Sequence, residues 1–315
     1  MKIIGKYIIG SLVLLFSYSV SLAQNVIDQV DTSYEGITKL VVRGSFCDVN
    51  VVGGSGSGVS LNGKITGSGD NSKDLKIMHR QSGNTLEVWI DRPNRNSNWS
   101  WGWNNMNGKL DLKVPAQIDL MVDNSSGNVG VQGITYATCD ISASSGDVKA
   151  EKMTTDLKIR ATSGDISAEQ IKGSVKARTT SGSQRLSAVT GKIDAEATSG
   201  DIRIDTAEGD IAGETTSGSW DIENAKGAFD LRSTSGDIEG KNIMLTSSSN
   251  FRSSSGEIDM RLKNDMKALS FDLQASSGFL RAGEIRSERK LLMKNGGNSI
   301  EIRGISSSGS QSYME

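Results

Sequence analysis

Over the middle of this chain, apolar residues fall on alternate positions after regularly spaced glycines. The segments read GDISA, GSVKA, GKIDA, GDIRI, GDIAG, GSWDI and GAFDL. A period of two buries one face of a strand and leaves the other in water. The glycines themselves are periodic. Gly146, Gly164, Gly182, Gly200, Gly218 and Gly236 are 18 residues apart, and Gly173, Gly191, Gly209 and Gly227 repeat the step with an offset of nine. Thr155 fills the one remaining slot. Each strand is therefore short, and each ends at a turn that needs either positive φ or close backbone approach.

The two turns of the repeat differ. One reads TSG; the other reads IKG, VTG, AEG or AKG. Two corners imply a coil of about 18 residues, stacked at strand spacing on the next. The pattern predicts an all-β parallel β-solenoid, a β-helix, with irregular β caps at both ends. Ile166, Val175, Leu186, Ile193, Ile202, Ile211, Trp220, Phe229 and Ile238 are the expected core, with Gln184 as an exception in GSQRL. Lys158, Arg160, Lys176, Arg178, Asp194, Glu196, Asp230 and Arg232 face outward. The glycines after TS and SS, from Gly146 to Gly236, are structural turn residues. The Asp and Ser that follow them alternate enough to relieve repulsion between neighbouring coils.

Looser copies flank the regular part. SSGNV precedes it; SSGEIDM and SSGFLRA follow, and NSIEIRG reads as one more strand. KLVVRG, DVNVVG, LKIMHR, TLEVWI and KLDLKV alternate well but without the period. The resulting division is 1–23 as a signal peptide, 24–125 as a strand-rich cap with the first coils, 126–240 as the regular TSGDI-repeat solenoid, and 241–315 as looser coils with a second cap. Lys2 and Lys6, the apolar run IIGSLVLLFSYSV, and Ser21 and Ala23 ahead of Gln24 resemble a secretory signal cut after Ala23. The expected location is exported: the periplasm or the outer cell surface. No transmembrane segment is expected in the mature chain.

FCDVNVVGG, TLEVWI, LDLKVPAQIDLMVDNSSGNVGVQG and the serial TSGDI units resemble a bacterial candidate-adhesin β-solenoid family of unknown function. Its relatives are the head-GIN-domain auto-transporter adhesins. The resemblance spans nearly all of residues 35–303. It implies a non-catalytic cell-envelope protein, an adhesin-like binding scaffold, and supplies no catalytic residues. A periplasmic structural or envelope-stress component is the alternative. A polysaccharide-active β-helix enzyme is a third.

Composition narrows these classes. The chain has 35 basic and 37 acidic residues, which gives no basic stripe for nucleic acid. A single histidine, His79, supports neither a Ser-His-Asp triad nor a histidine metal cluster. Calcium-binding β-rolls use a denser glycine pattern than this one, so no metal or other cofactor is expected. Trp99, Trp101 and Trp103 alternate in NWSWGWNN and are the candidate ligand-binding residues, suited to stacking on a cell-surface carbohydrate or a protein. Cys47 and Cys139 both precede Asp-Val or Asp-Ile, take the glycine slot of the module, and are a candidate disulfide in an exported protein.

Overall fold

A computed structural model describes residues 25–67, 74–91, 106–297 and 299–315. Two long sheets face each other, one of 15 strands and one of 14. In the regular region each coil contributes one strand to each sheet. Val175–Thr179 runs in the second sheet, the TSG corner turns the chain, Gln184–Thr190 runs in the first, and Ile193–Ala197 returns to the second. Pairing is parallel, with partners 18 residues apart: Ile166 with Gln184, Gln184 with Ile202, Ile202 with Trp220, and Trp220 with Ile238. The second sheet stacks Val175, Ile193, Ile211 and Phe229 in the same way. Every residue expected in the core is buried, and so is Gln184.

Gln184 is tolerated because its amide is used. Nε2 donates to Thr179 Oγ1 at 3.0 Å and to the Glu196 carbonyl at 2.6 Å, across the core. Gln311, also buried, repeats the device with Ser306 Oγ and the Gln274 carbonyl.

The TSG glycines are required by proximity. A Cβ on Gly164, Gly182, Gly200 or Gly218 would lie 1.9–2.2 Å from the carbonyl oxygen of the glycine one coil earlier. None of these four has positive φ. At the opposite corner Gly173, Gly191 and Gly209 combine the same close approach with φ of 139–145°.

A second periodic feature recurs in six consecutive first-sheet strands. Lys152, Gln170, Ala188, Thr206, Asn224 and Asn242 all have φ between 51° and 60°. The ladder register passes over residues 152, 170, 188 and 206, from Glu169 to Ile171 and from Ser187 to Val189, for example. All these strands carry the same extra residue, so the ladder stays in register; the stacked bulge leaves two consecutive residues outward and returns Ile171, Val189 and Ala207 to the core. Asn242 Nδ2 donates to Asn224 Oδ1 at 3.1 Å, and Asn224 Nδ2 donates to Asp205 Oδ1 at 3.1 Å. A β-branched residue is the least suited to this conformation. Thr206→Asn should therefore stabilise the protein by about 1 kcal/mol, seen as a higher urea midpoint at unchanged m-value. A lower midpoint would contradict the bulge assignment.

At both ends the coils stack out of sequence order. Lys39–Ser45 and Asp48–Gly54 lie between the strands Thr85–Asp91 and Asn107–Pro115 on one side and Asp119–Asn124 and Val129–Gln132 on the other. At the far end, Ile300–Ser308 and Gln311–Met314 insert between the coil of Ser249–Ser255 and Ile258–Leu262 and that of Leu269–Ser277 and Leu280–Ala282. NSIEIRG thus leads into a strand, but one inside the stack. Antiparallel strands finish both ends: Asn25–Tyr34, Val59–Gly67 and Lys76–Ser82 at one, Ile285–Ser287 and Lys290–Met293 at the other. They cover open edges that would otherwise pair with other chains.

Candidate functional site

The TSG corner is the most organised surface. The residue after each glycine is a bonding element. Asp147 Oδ1 accepts the Asp165 N–H at 2.9 Å, Asp165 Oδ1 that of Ser183 at 2.8 Å, and Asp201 Oδ1 that of Ser219 at 2.9 Å. Where serine replaces aspartate, Ser219 Oγ accepts the Asp237 N–H at 3.1 Å. The column continues to Asn128 and Asp48 at one end and Glu257 at the other. These aspartates, Asn128 and Ser219 satisfy amides that the corner geometry leaves outside the ladder. The backbone stacks alongside, with Ser181 N–H donating to Thr162 and Ser199 N–H to Thr180.

Two shallow grooves flank this corner. One, of about 570 Å³, runs on the first-sheet side between the Asp/Ser column and the next outward column, which includes Arg185, Arg203, Asp221 and Glu239. The other, of about 380 Å³, runs on the second-sheet side past Arg160, Arg178, Glu196 and Glu214. Their walls are cross-linked between coils. Arg203 pairs with Asp221 at 2.8 Å and Arg178 with Glu196 at 2.6 Å; beside the second groove Lys176 pairs with Asp194 at 2.6 Å, and Arg160 shares Asp140 with Lys158. Exposed pairs of this kind contribute little stability each. They fix the side chains that a ligand would meet.

The expected sites distribute unevenly. Gly146 through Gly236 lie between second-sheet and first-sheet strands. Trp99, Trp101 and Trp103 lie outside the described residues. The described residues on either side are Asp91, at the end of a second-sheet strand, and Met106, just before a first-sheet strand.

The cysteines need a correction. Cys47 does occupy the glycine slot, since a Cβ on Gly127 would meet its carbonyl oxygen at 2.1 Å. Asn124 Nδ2 donates to that oxygen, and Gly108 leaves room for the Cys47 sulfur. Cys139 instead fills an apolar core position in the second sheet, stacked between Leu120 and Leu157. Both are buried, in different columns of the stack. Burial, with help from Asp140 and Asp119, pushes the Cys139 thiol up to about 12. The folded state thus holds the proton more tightly than the unfolded chain. That favours folding below the ordinary thiol range and is lost as pH rises through it towards 12. Cys139 should resist a thiol reagent in native buffer near pH 8 and react on unfolding. Rapid native labelling, located by peptide mapping, would contradict its place in the core.

His79 braces the first end of the stack, where its Nδ1 and the Tyr34 hydroxyl are hydrogen-bonded and the rings meet edge to face. Asp28 Oδ2 accepts the Ile77 N–H at 2.7 Å close by. Sequence reasoning missed the bulge column, whose residues carry no shared chemical signal.

The Toastrack DUF4097 family model matches residues 37–213 and 211–311. The chain belongs to the Toastrack family. Among solved structures, it is similar to a candidate cell adhesion protein of Clostridium sporogenes at 13% identity and a TM-score of 0.22, covering 91% of this chain and 99% of that one. A candidate lipid binding protein of Parabacteroides distasonis is 14% identical, with a TM-score of 0.44 and coverage of 91% and 97%. A candidate adhesin of Bacteroides fragilis is 15% identical, with a TM-score of 0.35 and the same coverage. A comparison with curated proteins yields no match. Among the described residues, no helix is long and apolar enough to cross a membrane.

Proposed function

We propose that this Toastrack protein is an exported, non-catalytic binding scaffold of the cell envelope, adhesin-like in its mode of action. The observation that carries the reading is the pair of grooves along a corner whose backbone is fixed coil by coil. The repeat carboxylates at that corner accept backbone N–H groups, so they serve the stack. What is offered to a partner is a rigid, periodic surface with charged walls. The signal-like N-terminus supports export. Trp99, Trp101 and Trp103 are proposed as ligand contacts, because three alternating tryptophans among Asn and Gly suit stacking on a sugar ring or insertion into a partner surface. A surface carbohydrate or protein is the proposed ligand class.

The inter-coil ion pairs favour a second reading, a periplasmic structural component whose outer faces are simply solvated. Protease accessibility on intact cells separates the two. Digestion while a periplasmic control stays protected supports the adhesin-like reading. Protection until the outer envelope is breached overturns it. Replacing all three tryptophans with alanine should abolish binding to the ligand-bearing surface and leave the thermal midpoint unchanged. Unchanged binding removes them from the site.

A further inference from the structure

The end of the stack beyond the inserted coil differs from the body. Leu280–Ala282 and Ile285–Ser287 form an antiparallel pair at the edge of the first sheet, and the chain then crosses to Lys290–Met293 at the edge of the second. Leu291 is buried and plugs the core. Around it three large apolar side chains face water: Phe279 at 53% exposure, Ile285 at 49% and Leu292 at 56%. Phe279 follows the SSG corner, Ile285 is on the last first-sheet strand, and Leu292 is on the last second-sheet strand. They therefore surround the end on three sides.

The same end is basic. Arg286, Arg289, Lys290 and Lys294 lie in the crossing segment, and Lys263 and Lys267 beside the 3-10 turn Met266–Ala268. That turn packs on the segment, since Asn295 Nδ2 donates to the Met266 and Leu269 carbonyls. The local carboxylates are Asp265, Asp272 opposite Leu292, Glu284 and Glu288, and Asp265 Oδ1 is occupied by the Lys267 N–H. Six cations thus face four acids in a chain whose net charge is −2. On the body, Lys176, Arg178, Arg203 and Lys226 each have an ion-pair partner one coil away. Among the described residues, the six end cations make no such pair.

We propose that this end docks on an anionic lipid bilayer, so that the solenoid stands on the membrane by its C-terminal cap. The charge is complementary to acidic headgroups. Apolar side chains interleaved with cations fit the boundary between headgroups and acyl chains, where the former enter and the latter pair with phosphates. An acidic protein would answer the cations but would not require three exposed apolar groups around a blunt end. The opposite end would then project about 60 Å from the bilayer, from 14 strands at the usual spacing. Contact through three apolar groups and a few cations is reversible, without an inserted segment.

The test is cosedimentation of the protein with phosphatidylcholine vesicles, with and without phosphatidylglycerol. Binding is expected to the anionic vesicles alone, and to weaken at high salt. Each basic residue near the surface contributes about fivefold, so Arg286→Gln with Arg289→Gln should weaken binding by about 25-fold. Phe279→Ser with Leu292→Ser should weaken it comparably. Lys176→Gln with Arg178→Gln on the body should not change it. All the altered side chains are partly or fully exposed, and an unchanged thermal midpoint verifies the fold of each variant. The proposal is overturned by no binding to either vesicle, by equal binding to both, or by loss in the body variant alone. Retention on immobilised polyglutamate without vesicle binding would also overturn it and point to an acidic protein. The outcome does not depend on the Trp segment or the grooves, so failure here leaves the scaffold reading standing.

Discussion

Ile202→Asp should abolish cooperative folding or cost at least about 4 kcal/mol. Ile202 is fully buried in the middle of the first sheet, between Gln184 and Trp220. Its ladder partners are Trp220 and Gln184, whose amide already donates to Thr179 and to the Glu196 carbonyl, so an aspartate there meets no cation for its charge. The carboxyl would be driven towards its neutral form, raising its pKa in the folded state. The penalty should therefore be largest at neutral pH and shrink in acid. Arg203→Asp, one position along, faces water; it loses the pair with Asp221 and sets two solvated carboxylates side by side, a cost of about 1 kcal/mol. A urea titration of both variants checks the claim. A soluble Ile202→Asp protein of wild-type stability would refute the inward assignment for the whole column.

Gly200→Ala is the second large effect. Its Cβ would lie 2.2 Å from the Gly182 carbonyl oxygen and 2.7 Å from the carbonyl carbon. Both atoms belong to a backbone held from the other side by the coil before it, so neither can yield without moving the corner. The cost should be about 3 kcal/mol, far above the roughly 1 kcal/mol of ordinary conformational effects at glycine. Gly56→Ala is the control, because nothing lies within 4 Å of the added methyl. That variant should stay within about 0.5 kcal/mol of wild type. Equal melting shifts for the two would mean that the TSG glycines are there for flexibility rather than for contact.

These two substitutions rest on features that periodicity alone reveals. Alternation after each glycine gives the inward set, and the 18-residue step gives the partner of each residue in the next coil. The Asp and Ser of the corner were legible as a column, but not as acceptors for the next coil's N–H, because that depends on how closely the corners stack. The bulge was invisible. Lys152, Gln170, Ala188 and Thr206 share no side-chain chemistry, and only Asn224 and Asn242 are residue types that favour the left-handed region. Cys139 was misread as a corner residue because the Cys-Asp-Ile triplet imitates Cys47-Asp48-Val49. Its pairing with Leu120 and Leu157 puts it on the second sheet instead. The order of coils at the ends was also beyond reach. Nothing local in KLVVRG says that it pairs with both TLEVWI and the strand Asp119–Asn124. The candidate site was partly legible: its corner came from the repeat, while the grooves depend on which outward columns stand beside it.

The central claim is that 18 residues make one coil and that repeat residues serve the stack. Excising residues 183–200, which joins Gly182 to Asp201, tests it most directly. It removes one strand from each sheet and restores the same corner. We expect a folded, soluble protein with an undiminished strand signal in circular dichroism and a modest drop in the thermal midpoint. Excising only residues 183–191 joins the TSG corner to a second-sheet strand and should prevent folding. If the 18-residue deletion unfolds, or the nine-residue deletion folds equally well, the coil is not the structural unit.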